Sequence, residues 1–131
     1  MTAPRLRFTT TTLSTRDPRR LAAFYEALLG WERRADDDGW VVLRAPGDDD
    51  RGGHALAFHE DVEYVPPGWP SRPGQQQMMA HIEVATDDVE RAVAHAMACG
   101  ARLADFQPQV DVRVMLDPDG HPFCLFHWDD A

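Results

Sequence analysis

The 131-residue chain contains no lysine: all thirteen basic residues are arginine, set against twenty-two acidic ones for a net charge of −9. A field of that sign repels phosphate backbones and anionic lipid, so the electrostatic footprint of a nucleic-acid or membrane-surface binder is missing. We read the lack of lysine, alongside abundant alanine and aspartate, as coding bias and not as chemistry. Cysteine is scarce as well. Cys99 and Cys124 are too few and too far apart for a disulfide framework, no C-x-x-C pair occurs, and both suit buried thiols acting as small hydrophobes. No apolar run approaches the roughly 20 residues that span a bilayer, and "MTAPRLRFTTTT" at the N-terminus has basic residues without an apolar signal-peptide core. The expectation is a cytoplasmic protein with no nucleic-acid or membrane partner. A chain of this length buries about two-thirds of its unfolded surface, enough for one sizeable core.

What is present is a repeat. "DPRRLAAFYEALLG" places Leu21, Phe24, Tyr25, Leu28 and Leu29 on one helical stripe, with Asp17 as N-cap, Pro18 at the first helical position and Gly30 past the end. "DDVERAVAHAMACG" does the same with Val89, Ala92, Val93, Ala96 and Met97, with Asp87 and Glu90 as a capping pair and Gly100 closing the helix. Strand-like text precedes each helix ("RFTTTTLS", "MMAHIEVA") and follows it ("WERRA", "GWVVLRA" and "HALAFHE"; "ARLADF", "VDVRVML" and "PFCLFHW"). The chain therefore parses as α+β, two βαβββ modules over about 5–60 and about 78–128 in a single domain, joined over about 61–77 by the proline-rich "DVEYVPPGWPSRPGQQQ".

Alternation along each strand assigns faces. Ala80, Ile82 and Val84 form one side of the strand that carries His81 and Glu83 on the other; Phe123 and Leu125 oppose Pro122, Cys124 and Phe126; Val112, Val114 and Leu116 oppose Asp111, Arg113 and Met115. This parity turns an apolar face to each helix and a mixed face, holding His81, Glu83 and Arg113, towards a cup between the sheets. Convergent polar groups in a concavity are the usual form of a small-molecule site. Arg113 suits a ligand carboxylate or, equally, an ion pair with Glu83; His81 beside Glu83 suits a general base or a satisfied core histidine. Trp69, with Tyr64 in the stiff linker, suits either a stacking wall for a planar ligand or a plug between modules.

Paired modules with "DPRRLAAFYEALLGW", "HIEVATDDVERAVAHAMACGARL" and a terminal "DPDGHPFCLF" resemble the vicinal oxygen chelate superfamily, which includes glyoxalase I, extradiol dioxygenases and bleomycin-resistance proteins, and are most similar to its glyoxalase-like subgroup. The resemblance implies a metal position on the first and last strand of each module, here Thr10, Ala57, His81 and Cys124. One imidazole is left where a divalent ion needs about three protein ligands. Cys124 then reads as a small wall residue or, less simply, a zinc thiolate, and His59, His81 and Glu83 as a rival triad hampered by about 6.5–7 Å between neighbours on one strand face. The implied function is metal-independent binding of a small molecule, without cofactor, through His81, Glu83, Arg113, Trp69, Thr10 and Cys124. The alternative is a lyase, isomerase or dioxygenase-type enzyme using His81 as metal ligand or acid/base. Exposed sheet edges and the resemblance together imply a homodimer.

Overall fold

The computed structural model describes residues 2–47 and 54–129. The chain divides into two compact units, Met1–Tyr64 and Val65–Ala131, the division falling inside the proline-rich connection. Each unit is one βαβββ module.

The first unit runs β1 (Thr10–Thr15), α1 (Pro18–Leu29), β2 (Glu32–Asp37), β3 (Trp40–Arg44) and β4 (Ala55–Glu60). Its open four-stranded sheet has the order β1-β4-β3-β2, with β1 parallel to β4 and the remaining pairs antiparallel. The helix starts as its sequence demands: the Asp17 carboxylate accepts from Arg20 N at 3.1 Å, and Gly30 closes it at φ 71. Leu21, Phe24 and Tyr25 are buried, and the Tyr25 ring stacks on Phe58 of β4 at 5.6 Å. Val41 and Leu43 of β3 complete that core at 0% exposure, so one sheet face is sealed by the helix. Arg33 pairs with Glu26 and Arg19 with Asp36, fastening β2 to α1 at the surface.

The second unit repeats the order with β5 (Ile82–Thr86), α2 (Val89–Cys99), β6 (Arg102–Leu103), β7 (Val112–Leu116) and β8 (Pro122–His127), strand order β5-β8-β7-β6. Its core is Met115, Phe123 and Leu125 with Ala96 of α2, all at 0–1% exposure. Three expectations are corrected here. Asp88, not Asp87, caps α2, accepting from Arg91 N at 3.1 Å, because Thr86 Oγ1 two residues earlier accepts from Asp88 N and fixes the turn. Thr15 does the same for Asp17 in the first unit. Met97 is 51% exposed, leaving Ala96 as the buried residue of the α2 stripe. The strand expected from Val110 begins at Val112, with Val110 itself 91% exposed.

The cap assignment predicts a contrast between neighbours. Asp88→Ala should cost about 1 kcal/mol in denaturant unfolding, the usual loss for an N-cap, and Asp87→Ala close to nothing.

Candidate functional site

Parallel pairing of β5 with β8 sets Glu83 directly beside Cys124, and antiparallel pairing of β8 with β7 sets Cys124 beside Val114. Residues so paired point to one side of the sheet. His81, two residues before Glu83, joins them: its Nε2 lies 3.2 Å from Glu83 Oε1. The ionised carboxylate can only accept, so Nε2 carries the hydrogen in that bond. Nitrogen, carboxylate oxygen and Cys124 sulfur all lie within 4.8 Å of one another. The spacing of about 6.5–7 Å along the strand that argues against a shared ion applies to the backbone; the two side chains lean together and close it.

Burial pushes the Cys124 thiol up from its ordinary pKa, and the negative charge of Glu83 adds to the effect. Cys124 is therefore a protonated, slow nucleophile at neutral pH. In a Cys99→Ser background, Glu83→Gln should lower that pKa and speed alkylation of Cys124 by iodoacetamide at pH 8; an unchanged or slower rate would show that the carboxylate does not act on the thiol.

Beside this group the same sheet face opens into a recess of about 300 Å³ lined by Glu83, Gln109, Asp111, Val112, Phe126 and His127. The register explains the lining, since Ala85, Phe126 and Val112 pair in a row next to the row of Glu83, Cys124 and Val114. Two carboxylates, one amide and one aromatic ring make its walls, and His127 Nδ1 leans on Asp129 at 3.4 Å. Gln109, Asp111, Phe126 and His127 are not among the site residues expected from the sequence; alternation from Cys124 to Phe126 is the signal for the aromatic wall.

The remaining expected site residues fall elsewhere. Arg113 pairs with Leu125 across β7 and β8, which places it on the helix-covered side of the sheet, opposite Glu83 and Cys124. Its guanidinium donates to the Val112 and Gln109 carbonyls at 2.9 and 3.1 Å. The shared face expected for Arg113 with His81 and Glu83 is thus corrected. Trp69 donates from its indole to Phe106 O at 3.0 Å, with the two rings 5.9 Å apart, and so fastens the connection to the segment between β6 and β7. Thr10 stands on β1 in the first unit, donating to Thr9 Oγ1 at 3.1 Å. A second recess, of about 360 Å³ in the first unit, is lined by Arg16, Asp17, Arg19, Asp38 and Glu60 among others. Its arginines are committed, Arg19 to Asp36 and Asp38, Arg16 to the Tyr64 carbonyl.

This succession of strands and helices defines a class. A family model described as "Glyoxalase-like domain" matches residues 10–126, and the chain belongs to that family, within the vicinal oxygen chelate superfamily. No curated protein matches it. Among solved structures it is similar to a glyoxalase/bleomycin resistance protein/dioxygenase family enzyme from Burkholderia phytofirmans, with TM-score 0.64 and 18% identity over 90% of this chain and 95% of that one. It is similar to a bleomycin resistance determinant encoded on transposon Tn5, with TM-score 0.58 and 21% identity over 90% and 94%. The trypanothione-dependent glyoxalase I of Leishmania major gives TM-score 0.62 and 16% identity over 96% and 88%. At these identities the likeness is one of fold.

The metal of the superfamily can be tested against the residues present. By register, Thr10, Thr12 and Ala57 of the first unit occupy the places that His81, Glu83 and Cys124 occupy in the second. Ala57 has no donor atom and is fully buried, and Thr10 offers only a neutral hydroxyl where zinc takes imidazole, thiolate or carboxylate. A set with one ligand from the first and last strand of each module does not fit this chain.

Proposed function

We propose that the protein binds a small organic cation, without a metal taking part, in the recess of its second unit. The observation that carries the reading is the lining of that recess: Glu83 and Asp111 supply negative charge, Gln109 an orienting amide, and Phe126 a flat apolar wall. A cation gains from both carboxylates and from the electron-rich face of an aromatic ring. The net charge of −9 draws cations towards the protein and argues against nucleic acid or anionic membrane as partner; no helix among the described residues is long and apolar enough to cross a membrane. The chain shares its fold with a bleomycin resistance determinant encoded on Tn5, and we take its role to be capture without reaction. We take the protein to act in the cytoplasm as a homodimer, because each sheet ends on edge strands able to pair with another copy.

Equilibrium dialysis of chelator-treated protein against aromatic amines, and against neutral and carboxylate compounds of the same shape, tests the reading. Cations should bind in the micromolar range and their counterparts should not. Binding of none below millimolar, or equal binding of anions, would contradict it.

A second reading has its own observation. The His81–Glu83 contact at 3.2 Å is the arrangement in which a carboxylate orients an imidazole for proton transfer, which favours a lyase or isomerase with His81 as acid/base. Turnover that disappears in His81→Ala while binding persists would support it.

A further inference from the structure

The recess of the first unit lies on the other side of its sheet from the positions the superfamily gives to a metal. Phe58 of β4 stacks on Tyr25 of α1, and Glu60 follows two residues on, so Glu60 takes the helix-covered side of the strand and Ala57 the opposite one. Three segments wall the recess: Arg16 and Arg19 where β1 passes into α1, Asp38 and Gly39 in the turn between β2 and β3, and Glu60 at the end of β4. Each wall is held. Arg19 reaches Asp36 at 2.7 Å and Asp38 at 3.1 Å, tying the first turn of α1 to the hairpin. Glu60 N donates to Gly39 O at 3.0 Å, and the Glu60 side chain lies so close over Gly39 that a Cβ there would stand 3.4 Å from its Oε2. Asp61 N donates to Thr15 O at 2.8 Å, which brings the residues beside them, Arg16 and Glu60, to adjoining strand ends.

These contacts leave two charges unmet. Asp17 accepts from Arg20 N, and Asp38 is paired with Arg19. The bond from Arg16 Nε to Tyr64 O at 3.1 Å orients the guanidinium and leaves both terminal nitrogens unbonded, while the Glu60 carboxylate has no hydrogen bond or ion pair among the described residues. Arg16 and Glu60 thus line one recess without pairing with each other. From this arrangement we infer that the first unit carries a second binding site, for a small zwitterion that bears a carboxylate and an ammonium on one short chain. The guanidinium fork takes the carboxylate through two parallel N–H···O bonds, and Glu60 accepts from the ammonium. A simple amine leaves Arg16 unmatched and a simple acid leaves Glu60 unmatched, so the pair of charges selects against both. A volume of about 360 Å³ is at the lower end for ligand pockets and suits a molecule of amino-acid size. The site does not rest on capture of an organic cation in the second unit.

The test titrates alanine, β-alanine and γ-aminobutyrate, which carry the two charges at increasing separation, into isotope-labelled full-length protein, with propylamine and propionate as single-charge counterparts. At least one zwitterion should give saturable amide shifts at Arg16, Asp38, Gly39 and Glu60, with Kd on the order of 1 mM or tighter, the range open to a ligand of so few atoms. Propylamine and propionate should each bind about tenfold more weakly or less. Arg16 and Glu60 are exposed, so Arg16→Gln and Glu60→Gln should fold normally by circular dichroism and each weaken binding about fivefold to tenfold. No saturable shift with any of the three zwitterions, equal binding of propylamine or propionate, unchanged affinity in either variant, or shifts centred on Glu83 and Asp111 would overturn the assignment.

Discussion

Replacing Asp117 by alanine should destabilise the protein by about 3–5 kcal/mol, the range found when one partner of a buried charged contact is removed. The "DPDGHP" turn is built around this side chain, which is 1% exposed. Its Oδ1 accepts from the backbone N–H of Asp119 at 3.0 Å and of His121 at 2.9 Å, and the His121 ring approaches Oδ1 and Oδ2 through Nδ1 at 2.9 and 2.8 Å. Backbone bonds from Asp117 N to His121 O and from Gly120 N to Asp117 O close the loop, with Gly120 at φ 90. Truncation at residue 117 strands these donors in a poorly solvated turn, and each unsatisfied group costs about 1–3 kcal/mol. The turn feeds β7 into β8, so its loss also loosens the strand that carries Cys124 and Phe126. In thermal unfolding Asp117→Ala should fall by about 10 °C or more. Asp117→Asn should fall between, since an amide keeps one acceptor oxygen. A shift under about 1 kcal/mol for the alanine variant would mean that the turn is held by its backbone alone.

The second large effect is on binding. Glu83→Gln with Asp111→Asn removes both negative charges from the recess while keeping shape and hydrogen-bonding capacity. Both carboxylates are near solvent and are screened by salt, so each contributes on the order of 1 kcal/mol, and the double variant should weaken capture of an aromatic amine by about 10–100-fold. Affinity of the unaltered protein should fall as salt rises, and the salt dependence should flatten in the double variant. Phe126→Leu, which keeps apolar contact but removes the ring, should cost roughly threefold to fivefold, the scale of an exposed cation–π contact. If the double variant binds as tightly as the parent, charge in the recess is not the source of recognition.

The repeat was legible in the sequence because helices and turns carry local signatures. Asp17, Pro18 and Gly30 announce both ends of α1, and the two βαβββ runs follow from strand text flanking two capped helices. The capping-pair pattern points to Asp87 where Asp88 is the cap; the discriminating residue is Thr86, which repeats Thr15 at the same distance from its cap. Face assignment on β7 failed for a different reason. Polarity marks the wrong side of β7 as open: Met115 shares its face with Arg113 and is fully buried, while Val112, Val114 and Leu116 line the side away from the helix. A strand that is apolar on both faces gives the right alternation and no indication of which set points inward. Of the candidate site, the grouping of His81, Glu83 and Cys124 follows from parity, whereas Gln109 and Asp111 enter the recess from the irregular segment before β7, where no periodicity guides the reading.

Backbone amide spectra of isotope-labelled, chelator-treated protein, recorded as an aromatic amine is added, test the central claim most directly. Capture in the second unit predicts saturable shifts concentrated at Glu83, Gln109, Asp111, Val112, Phe126 and His127, unchanged by further chelator. Shifts centred on Arg16, Asp38 and Glu60 of the first unit, or shifts that appear only after zinc is added, would contradict it.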